Sequence, residues 1–307
     1  MSKRRHLRGV LVMAAGFVLA ACGLEGPMRP DRGADTGGGP AGTAPQRIVS
    51  LDYCADQYVL KFAERGQIRA VSPDAAAPYS YMRDTARGLP RVRPVAEDVL
   101  AMKPDLIVRS YGGGPRATTL FERAGIPVLE VGWASNLDDV ASNTQRLAAA
   151  LGAPKEGERL AAHLRDRLEA VEDARPTGSA PSVLYMTPGG VTSGSGSLVH
   201  EVLETAGVKN FQLEPGWRSL PLERLAREQP DLVARAEFNR GKGDLHRWSA
   251  ARHPIARQQI ETRPTVSFPG AWTACGGWFL ADAVEALAEE AARQAASPGR
   301  MGPSVSP

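Results

Sequence analysis

The side chains suited to metal or covalent chemistry are scattered in this sequence. The histidines are His6, His163, His200, His246 and His253. None forms a paired motif such as His-Glu-x-x-His, so no metal site is predicted. We expect neither catalytic residues nor a bound cofactor.

Two glycine-rich segments could also take part in chemistry, but neither has the full motif. Gly194-Ser195-Gly196-Ser197 lacks the Gly-x-Ser-x-Gly spacing of a nucleophile elbow, and Ser197 is better suited to cap a helix. Gly112-Gly113-Gly114 lacks the Lys-Ser/Thr of a phosphate loop. Its backbone amides could hold an anion, or it could form a plain tight turn.

Cys22 stands at the end of an N-terminal export pattern. A basic start is followed by an apolar stretch from Gly9 to Leu19 and by Leu19-Ala20-Ala21-Cys22. This order predicts a signal peptide over residues 1–21, since the stretch is shorter than the roughly 18 apolar residues of a spanning helix. Leu-Ala-Ala-Cys is similar to the bacterial lipobox, which predicts a lipid on Cys22. The sequence leaves open whether the inner or the outer membrane holds that lipid.

The basic character of the chain belongs to this signal. Taking the four basic residues of positions 1–21 from the chain's 37 leaves 33 basic against 34 acidic residues, a formal net charge of −1. A nearly neutral mature chain gives no support for nucleic-acid binding, which needs a clustered basic face.

The remaining chain predicts two α/β lobes with mostly parallel sheets. Apolar runs alternate with helical patterns over residues 47–152 and again over residues 178–295. Between them, over residues 153–177, apolar side chains recur at helical spacing and predict one long connecting helix. Residues 22–46 are rich in Gly, Pro, Asp and Arg and predict a flexible tether, and residues 296–307 predict a disordered tail.

The two series repeat one short pattern. Glu97 stands seven residues before Pro104-Asp105-Leu106-Ile107, and Glu223 stands seven residues before Pro230-Asp231-Leu232-Val233. Each glutamate falls in a short helical segment that leads into a strand. Two matching glutamates at the same place in two lobes indicate an internal duplication.

These residues carry a resemblance to a known family. Several segments resemble the helical-backbone substrate-binding proteins of ABC importers. They are Arg47-Ile48-Val49-Ser50-Leu51, Glu97 through Leu106, Ala124-Gly125-Ile126-Pro127-Val128, Trp217 through Glu223, and Pro230-Asp231-Leu232. That family carries cobalamin, ferric siderophores or haem. The resemblance implies two α/β lobes joined by one long helix, with the ligand in the cleft between them.

The resemblance also gives Glu97 and Glu223 a role. In this family a glutamate on each lobe docks on arginines of the membrane permease, and these two residues occupy the matching positions. Two separated carboxylates on one face would fix the orientation of docking through charged pairs. The alternative is a pair of solvated glutamates that favour helix N-termini.

Candidate ligand contacts follow the predicted strands, since ligands of α/β folds bind beyond the carboxyl ends of parallel strands. Aromatic residues make up only 6% of the chain but are concentrated in these loops, where they could hold a flat macrocycle. Packing in the core is the alternative for each, and tyrosines could instead ligate iron. The candidates that follow this rule are Tyr53, Tyr81, Tyr111, Trp133, Phe238, Arg240, Trp272 and Trp278. Trp217 is added because the resemblance implies an aromatic contact at its position, just before the docking glutamate.

Cys54 and Cys275 are the cysteines that remain after lipidation of Cys22. Cys54 follows the first strand of the first lobe, and Cys275 precedes the last helix of the second, so both are expected at the cleft. In an exported protein they could form a disulfide between the lobes. Two free thiols, or a thiolate contact with the ligand's metal, are the alternatives.

The sequence therefore favours a periplasmic, lipid-anchored binding protein over an enzyme. We expect a monomer that captures a metal chelate and delivers it to the permease subunits of an ABC transporter. A corrinoid such as cobalamin is the first candidate ligand, a ferric siderophore the second and haem the third. A secreted α/β hydrolase is the remote alternative, since no ordered catalytic triad supports it.

Overall fold

The first lobe is built on a four-stranded parallel sheet. The structure is a computed structural model that describes residues 44–238 and 249–296. The predicted signal, the predicted lipid site Cys22 and most of the predicted tether lie outside these residues, as does Arg240. The strands are β1 (Ile48–Ser50), β2 (Ile68–Ala70), β3 (Leu106–Arg109) and β4 (Val128–Glu130), in the spatial order β2-β1-β3-β4.

The strands of this sheet are mainly apolar because both faces of the sheet are covered. Ile48 packs into one hydrophobic cluster, whereas the next residue, Val49, packs into another. Successive side chains of a strand point to opposite faces, so the sheet lies between two layers of helices. The helices of this lobe are α1 (Tyr53–Phe62), α2 (Ala96–Ala101), α3 (Ala117–Arg123) and α4 (Leu137–Ala150), with a 3₁₀ turn at Arg65–Gln67.

The second lobe has the same kind of sheet. Strands β5 (Ser182–Met186), β7 (Lys209–Asn210), β9 (Leu232–Glu237) and β10 (Thr265–Pro269) are parallel, in the order β10-β9-β5-β7. Strands β6 (Val191–Ser193) and β8 (Trp217–Ser219) form a separate antiparallel ribbon, which the sequence did not predict. The helices are α6 (Leu198–Thr205), α7 (Leu222–Leu225), α8 (Pro254–Thr262), α9 (Gly270–Thr273) and α10 (Leu280–Ala296), with a 3₁₀ turn at Ala250–Arg252.

The repeated Pro-Asp pattern has the same local role in both lobes. The carboxylate of Asp105, before β3, accepts hydrogen bonds from the amides of Gln46 at 3.0 Å and Arg47 at 2.8 Å, at the start of β1. The carboxylate of Asp231, before β9, accepts one from the amide of Ser182 at 2.8 Å, at the start of β5. In each lobe this aspartate binds amides at the start of a neighbouring strand.

A 20-residue helix, α5 (Pro154–Asp173), connects the two lobes. It begins with proline at its first position, where the missing N–H costs nothing. Gly157 lets α5 approach α4 closely, since a Cβ there would stand 2.3 Å from the Cβ of Ala148. In the second lobe, Arg167 of α5 binds the carboxylates of Asp282 and Glu285 on α10 at 2.8 and 2.6 Å. The connecting helix is thus fixed to both lobes.

The lobes share one apolar core. A single hydrophobic cluster contains Val59 of α1, Leu164 of α5 and Leu287 of α10. Within residues 44–238 and 249–296, no helix has the length and apolar character needed to cross a membrane.

Asp56 of α1 is a fully buried carboxylic acid in the first lobe. Its oxygens accept hydrogen bonds from the amide of Ser72 at 3.1 Å and from the hydroxyl of Ser72 at 2.5 Å. Burial raises the pKa of Asp56 to about 6, although these hydrogen bonds act in the opposite direction. The folded protein therefore holds this proton more tightly than the unfolded chain does.

This raised pKa predicts a pH-dependent loss of stability. Between the ordinary pKa near 3.8 and the folded value of about 6, the folded state binds more protons than the unfolded state, so stability falls as pH rises. Asp56→Asn removes the titrating group. The variant's free energy of unfolding, relative to the native protein, should rise by about 2 kcal/mol from pH 4.5 to pH 7, measured by urea denaturation. A pH-independent difference between the two proteins would contradict the assignment.

Candidate functional site

Asp52 organises the loops at the carboxyl ends of β1 and β3. It caps α1, with one carboxylate oxygen 3.0 Å from the amide of Ala55. Its other oxygen accepts hydrogen bonds from the amides of Ser110, Tyr111 and Gly112 at 2.7, 3.0 and 2.9 Å. The glycine-rich turn therefore does use its first amide to hold an anion, but the anion is the protein's own carboxylate.

The same turn is fixed from its other side by Arg109. The buried guanidinium donates to the carbonyl oxygens of Gly112 at 2.8 Å and Gly114 at 3.0 Å. It also pairs with Glu130 at 2.8 Å. Gly112 has to be a glycine, because a Cβ there would lie 2.4 Å from the carbonyl oxygen of Leu51. These charged groups are thus used to build the loop.

Three tyrosines of the first lobe meet above these loops. The ring of Tyr53 packs edge-on against Tyr79 and Tyr111, with centroid distances of 5.0 and 5.9 Å. Tyr111 is 53% exposed. Burial, followed by the nearby Tyr53 and Asp52, raises the pKa of the Tyr111 phenol, which disfavours its phenolate form.

A cavity of about 310 Å³ lies between the lobes, at the lower end of the range for small-molecule sites. Trp133 of the first lobe and Trp217 of the second line it, and they are 81% and 52% exposed. Its other described lining residues include Val131, Tyr185, Leu198, Val199, Phe268 and Leu280. None of the described lining residues carries a charged side chain.

The segment Ala274–Gly276 of the second lobe lines this cavity and contacts helix α1 of the first lobe; we call it the floor segment. The structure contains a disulfide between Cys54 and Cys275, with a Cα–Cα distance of 5.5 Å. The Tyr58 hydroxyl donates a hydrogen bond to the carbonyl of Gly276 at 2.9 Å. The Tyr53 hydroxyl approaches the carbonyl of Ala274 at 3.4 Å.

Several residues proposed as ligand contacts do not line this cavity. Tyr81 stacks on Phe279 at 4.7 Å and donates a hydrogen bond to Asp282 at 3.1 Å. Trp278 is buried, with its ring edge-on to Tyr58 at 5.5 Å. Both belong to the packing between the lobes, because α10 begins there and buries its first turn against the first lobe. A direct contact of either residue with the ligand stays a prediction.

Two further aromatic candidates, Phe238 and Trp272, are partly buried and pack against the shared core. Arg240 lies outside the described residues. Conversely, Tyr185 and Phe268 line the cavity although the sequence did not single them out. Both lie inside apolar strand runs, where a cavity wall and a core position have the same pattern.

The Gly-Ser segment of the second lobe also reaches the cavity, through Gly196 and Ser197. Ser197 caps α6 as predicted, since its hydroxyl accepts a hydrogen bond from the amide of His200 at 3.2 Å.

No cluster of three metal-binding side chains occurs among residues 44–238 and 249–296.

Glu97 and Glu223 occupy equivalent places on the two lobes. Each is in the first turn of a short helix, Glu97 in α2 and Glu223 in α7, and each is exposed. Neither forms a salt bridge with another described residue. The structure thus leaves both carboxylates available at the surface.

The fold and the cleft define a two-lobed binding protein, and comparison with known proteins gives the family. A family model described as periplasmic binding protein matches residues 48–266. The chain therefore belongs to the periplasmic binding protein family, which implies a periplasmic location. This confirms the two-lobed α/β fold and the resemblance found in the sequence.

Among curated relatives, a cobalamin-binding protein of Halobacterium salinarum is 27% identical over 255 residues, covering 76% of this chain and 69% of the relative. A vitamin B12-binding protein of Yersinia pseudotuberculosis is 25% identical and covers 62% of this chain and 69% of the relative. These relatives are binding proteins rather than enzymes.

Solved structures show the same fold. A periplasmic haem-binding protein of Pseudomonas aeruginosa is 25% identical, covers 80% of this chain and 92% of that chain, and superposes with a TM-score of 0.63. The periplasmic vitamin B12 binding protein of Vibrio cholerae is 22% identical, covers 81% of this chain and 97% of that chain, and has a TM-score of 0.62. At that identity, the second match concerns the fold alone.

Proposed function

We propose that this protein captures a corrinoid in the cleft between its lobes and delivers it to the permease of an ABC importer. The observation that carries the proposal is the uncharged, aromatic lining of the cavity. A corrin is a large ring with uncharged amide groups at its edge. Such a ligand gains most from apolar area and aromatic faces and needs no ion pair.

The same lining disfavours haem. The two propionates of haem need cationic or strong hydrogen-bond partners, because a buried carboxylate without them is costly. The described lining offers no cation.

Titration of the mature domain with cyanocobalamin, haem and ferric hydroxamates tests this proposal. Cyanocobalamin should bind and change its absorbance spectrum, and haem should bind more weakly. Trp133→Ala and Trp217→Ala should each weaken cyanocobalamin binding by about tenfold or more, since aromatic anchors at a binding site dominate its energy. Leu120→Ala, an exposed apolar position on α3 outside the cavity, is the control and should bind as the native protein does. If cyanocobalamin shows no binding while haem binds tightly, the proposal that the ligand is a corrinoid is rejected.

We further propose that Glu97 and Glu223 dock on cationic side chains of the permease. They are exposed, lie on different lobes and form no described salt bridge, so both are available for pairing across an interface. Docking through both lobes would orient the cleft toward the transport path.

The double variant Glu97→Ala/Glu223→Ala should abolish corrinoid uptake in cells while the purified protein keeps its native affinity. The matched control is Glu122→Ala/Glu158→Ala, which removes two other exposed glutamates of this protein. Normal uptake by the docking variant, or a loss of its affinity for cyanocobalamin, would refute this assignment.

The lipid anchor at Cys22 is also a proposal. The order of basic, apolar and small residues before Cys22 supports it. Cys22→Ser should leave the mature protein in the soluble periplasmic fraction, whereas the native protein should sediment with membranes. Sedimentation of the variant with membranes would place the anchor elsewhere.

A further inference from the structure

The floor of the cavity belongs to one lobe but is held by the other. The floor segment, Ala274–Gly276, lies between α9 and α10 and has no regular secondary structure. Within its own lobe, the amide of Ala274 bonds to the carbonyl of Gly270 at 2.9 Å. The first lobe supplies the disulfide of Cys275, the hydrogen bond from Tyr58 to Gly276 and a longer one from Tyr53 to Ala274 at 3.4 Å.

We propose that Tyr58 and the Cys54–Cys275 disulfide are positioning residues, which fix the floor segment and thereby set the affinity of the cleft for its ligand. The ligand part of this inference rests on the proposed function. Its structural part concerns only the order of the floor segment.

The disulfide and the Tyr58 hydrogen bond come from one face of α1. Cys54 and Tyr58 are four residues apart, so their side chains lie one helical turn apart on the same face. Together they hold two consecutive residues of the floor segment, Cys275 and Gly276. Two anchors on neighbouring residues fix both the place of the segment and the direction of its backbone.

The position of the floor segment is constrained because it packs closely against the neighbouring wall of the cavity. Gly276 packs close to Leu198 of the cavity wall, since a Cβ at position 276 would lie 2.9 Å from the Leu198 Cδ1 atom. A displaced floor segment would therefore push on the wall or leave a gap. Either change would cost the ligand contact area or would require ordering on binding, which weakens affinity.

Tyr58 is suited to this role because it does not itself line the cavity. It is 1% exposed, and its ring packs edge-on against Trp278. Burial raises the pKa of its phenol to about 12, so the hydroxyl keeps its proton and can donate it to Gly276 at physiological pH. Any effect of removing that hydroxyl on binding must therefore act through Gly276, through its second partner Thr144 or through general stability.

The lobes should stay together when these attachments are lost. Arg167 of α5 still binds Asp282 and Glu285, Tyr81 still bonds to Asp282, and the shared core is unchanged. The attachments of the floor segment can therefore be removed while the two lobes stay packed together.

The test uses Tyr58→Phe, which keeps the ring and removes one hydroxyl, and Cys54→Ser/Cys275→Ser, which removes the disulfide without leaving a lone thiol. Ile107→Val is the control. It removes one methyl group from the fully buried core of the first lobe, away from the cavity, and should lower the stability modestly.

Hydrogen exchange of peptides covering residues 270–280 should be faster in both test variants and native-like in the control. The dissociation constant for cyanocobalamin should rise about fivefold in Tyr58→Phe, the loss expected for one hydrogen bond, and further in the double variant. The control should bind as the native protein does.

Native exchange over residues 270–280 in both test variants would overturn the inference, whatever the ligand. So would faster exchange with an unchanged dissociation constant, because the floor segment would then not govern binding. If the native protein fails to bind cyanocobalamin, the proposed function fails, and exchange alone decides whether Tyr58 and the disulfide hold the segment.

Discussion

The attachment of the floor segment to helix α1 is the contact on which the cleft depends. The two walls of the cavity belong to different lobes, so its shape is only as defined as the junction between them. The shared hydrophobic core supplies apolar area there but little direction, since apolar contact is not directional. The disulfide and the Tyr58 hydrogen bond add direction at the cavity, and the Arg167 pairs add it along the connecting helix.

Charges near the cleft are used to build its loops. Asp52 satisfies three successive backbone amides that could otherwise bind an external anion, and Arg109 satisfies two carbonyls of the same turn while pairing with Glu130. Such hydrogen bonds to charged groups are stronger than neutral ones, and they rigidify a turn that packs directly on Leu51. Because these charged groups are paired within the loops, the described wall of the cavity is uncharged and aromatic. Such a wall is consistent with a ligand that is bound mainly through apolar contact.

The sequence predicted the two sheets, the connecting helix and the cap at Ser197 because these rest on local patterns: apolar runs, helical spacing and a capping side chain. It could place Trp133 at a strand end, and the family resemblance pointed to Trp217; both line the cavity. It could not separate them from Trp278, which is buried between the lobes, because both environments favour aromatic residues. Tyr58 was out of reach for a different reason: its partner Gly276 is 218 residues away, and only the docking of the lobes joins them.

The segment repeated in the two lobes contains two kinds of carboxylate. The aspartate has a structural role in each lobe, whereas the glutamate forms no salt bridge with another described residue. In both lobes the aspartate of the Pro-Asp pair accepts amides from a neighbouring strand, as Asp105 and Asp231 do. The same structural role therefore explains the presence of this aspartate in both lobes. It does not account for Glu97 or Glu223, which point to solvent from the first turn of a short helix in each copy. An acidic residue at any of several positions in the first turn would interact favourably with the helix dipole, and Asp98 beside Glu97 is an example. The recurrence of an exposed glutamate at one position of both lobes is what the proposed docking of a partner on both lobes at once would require.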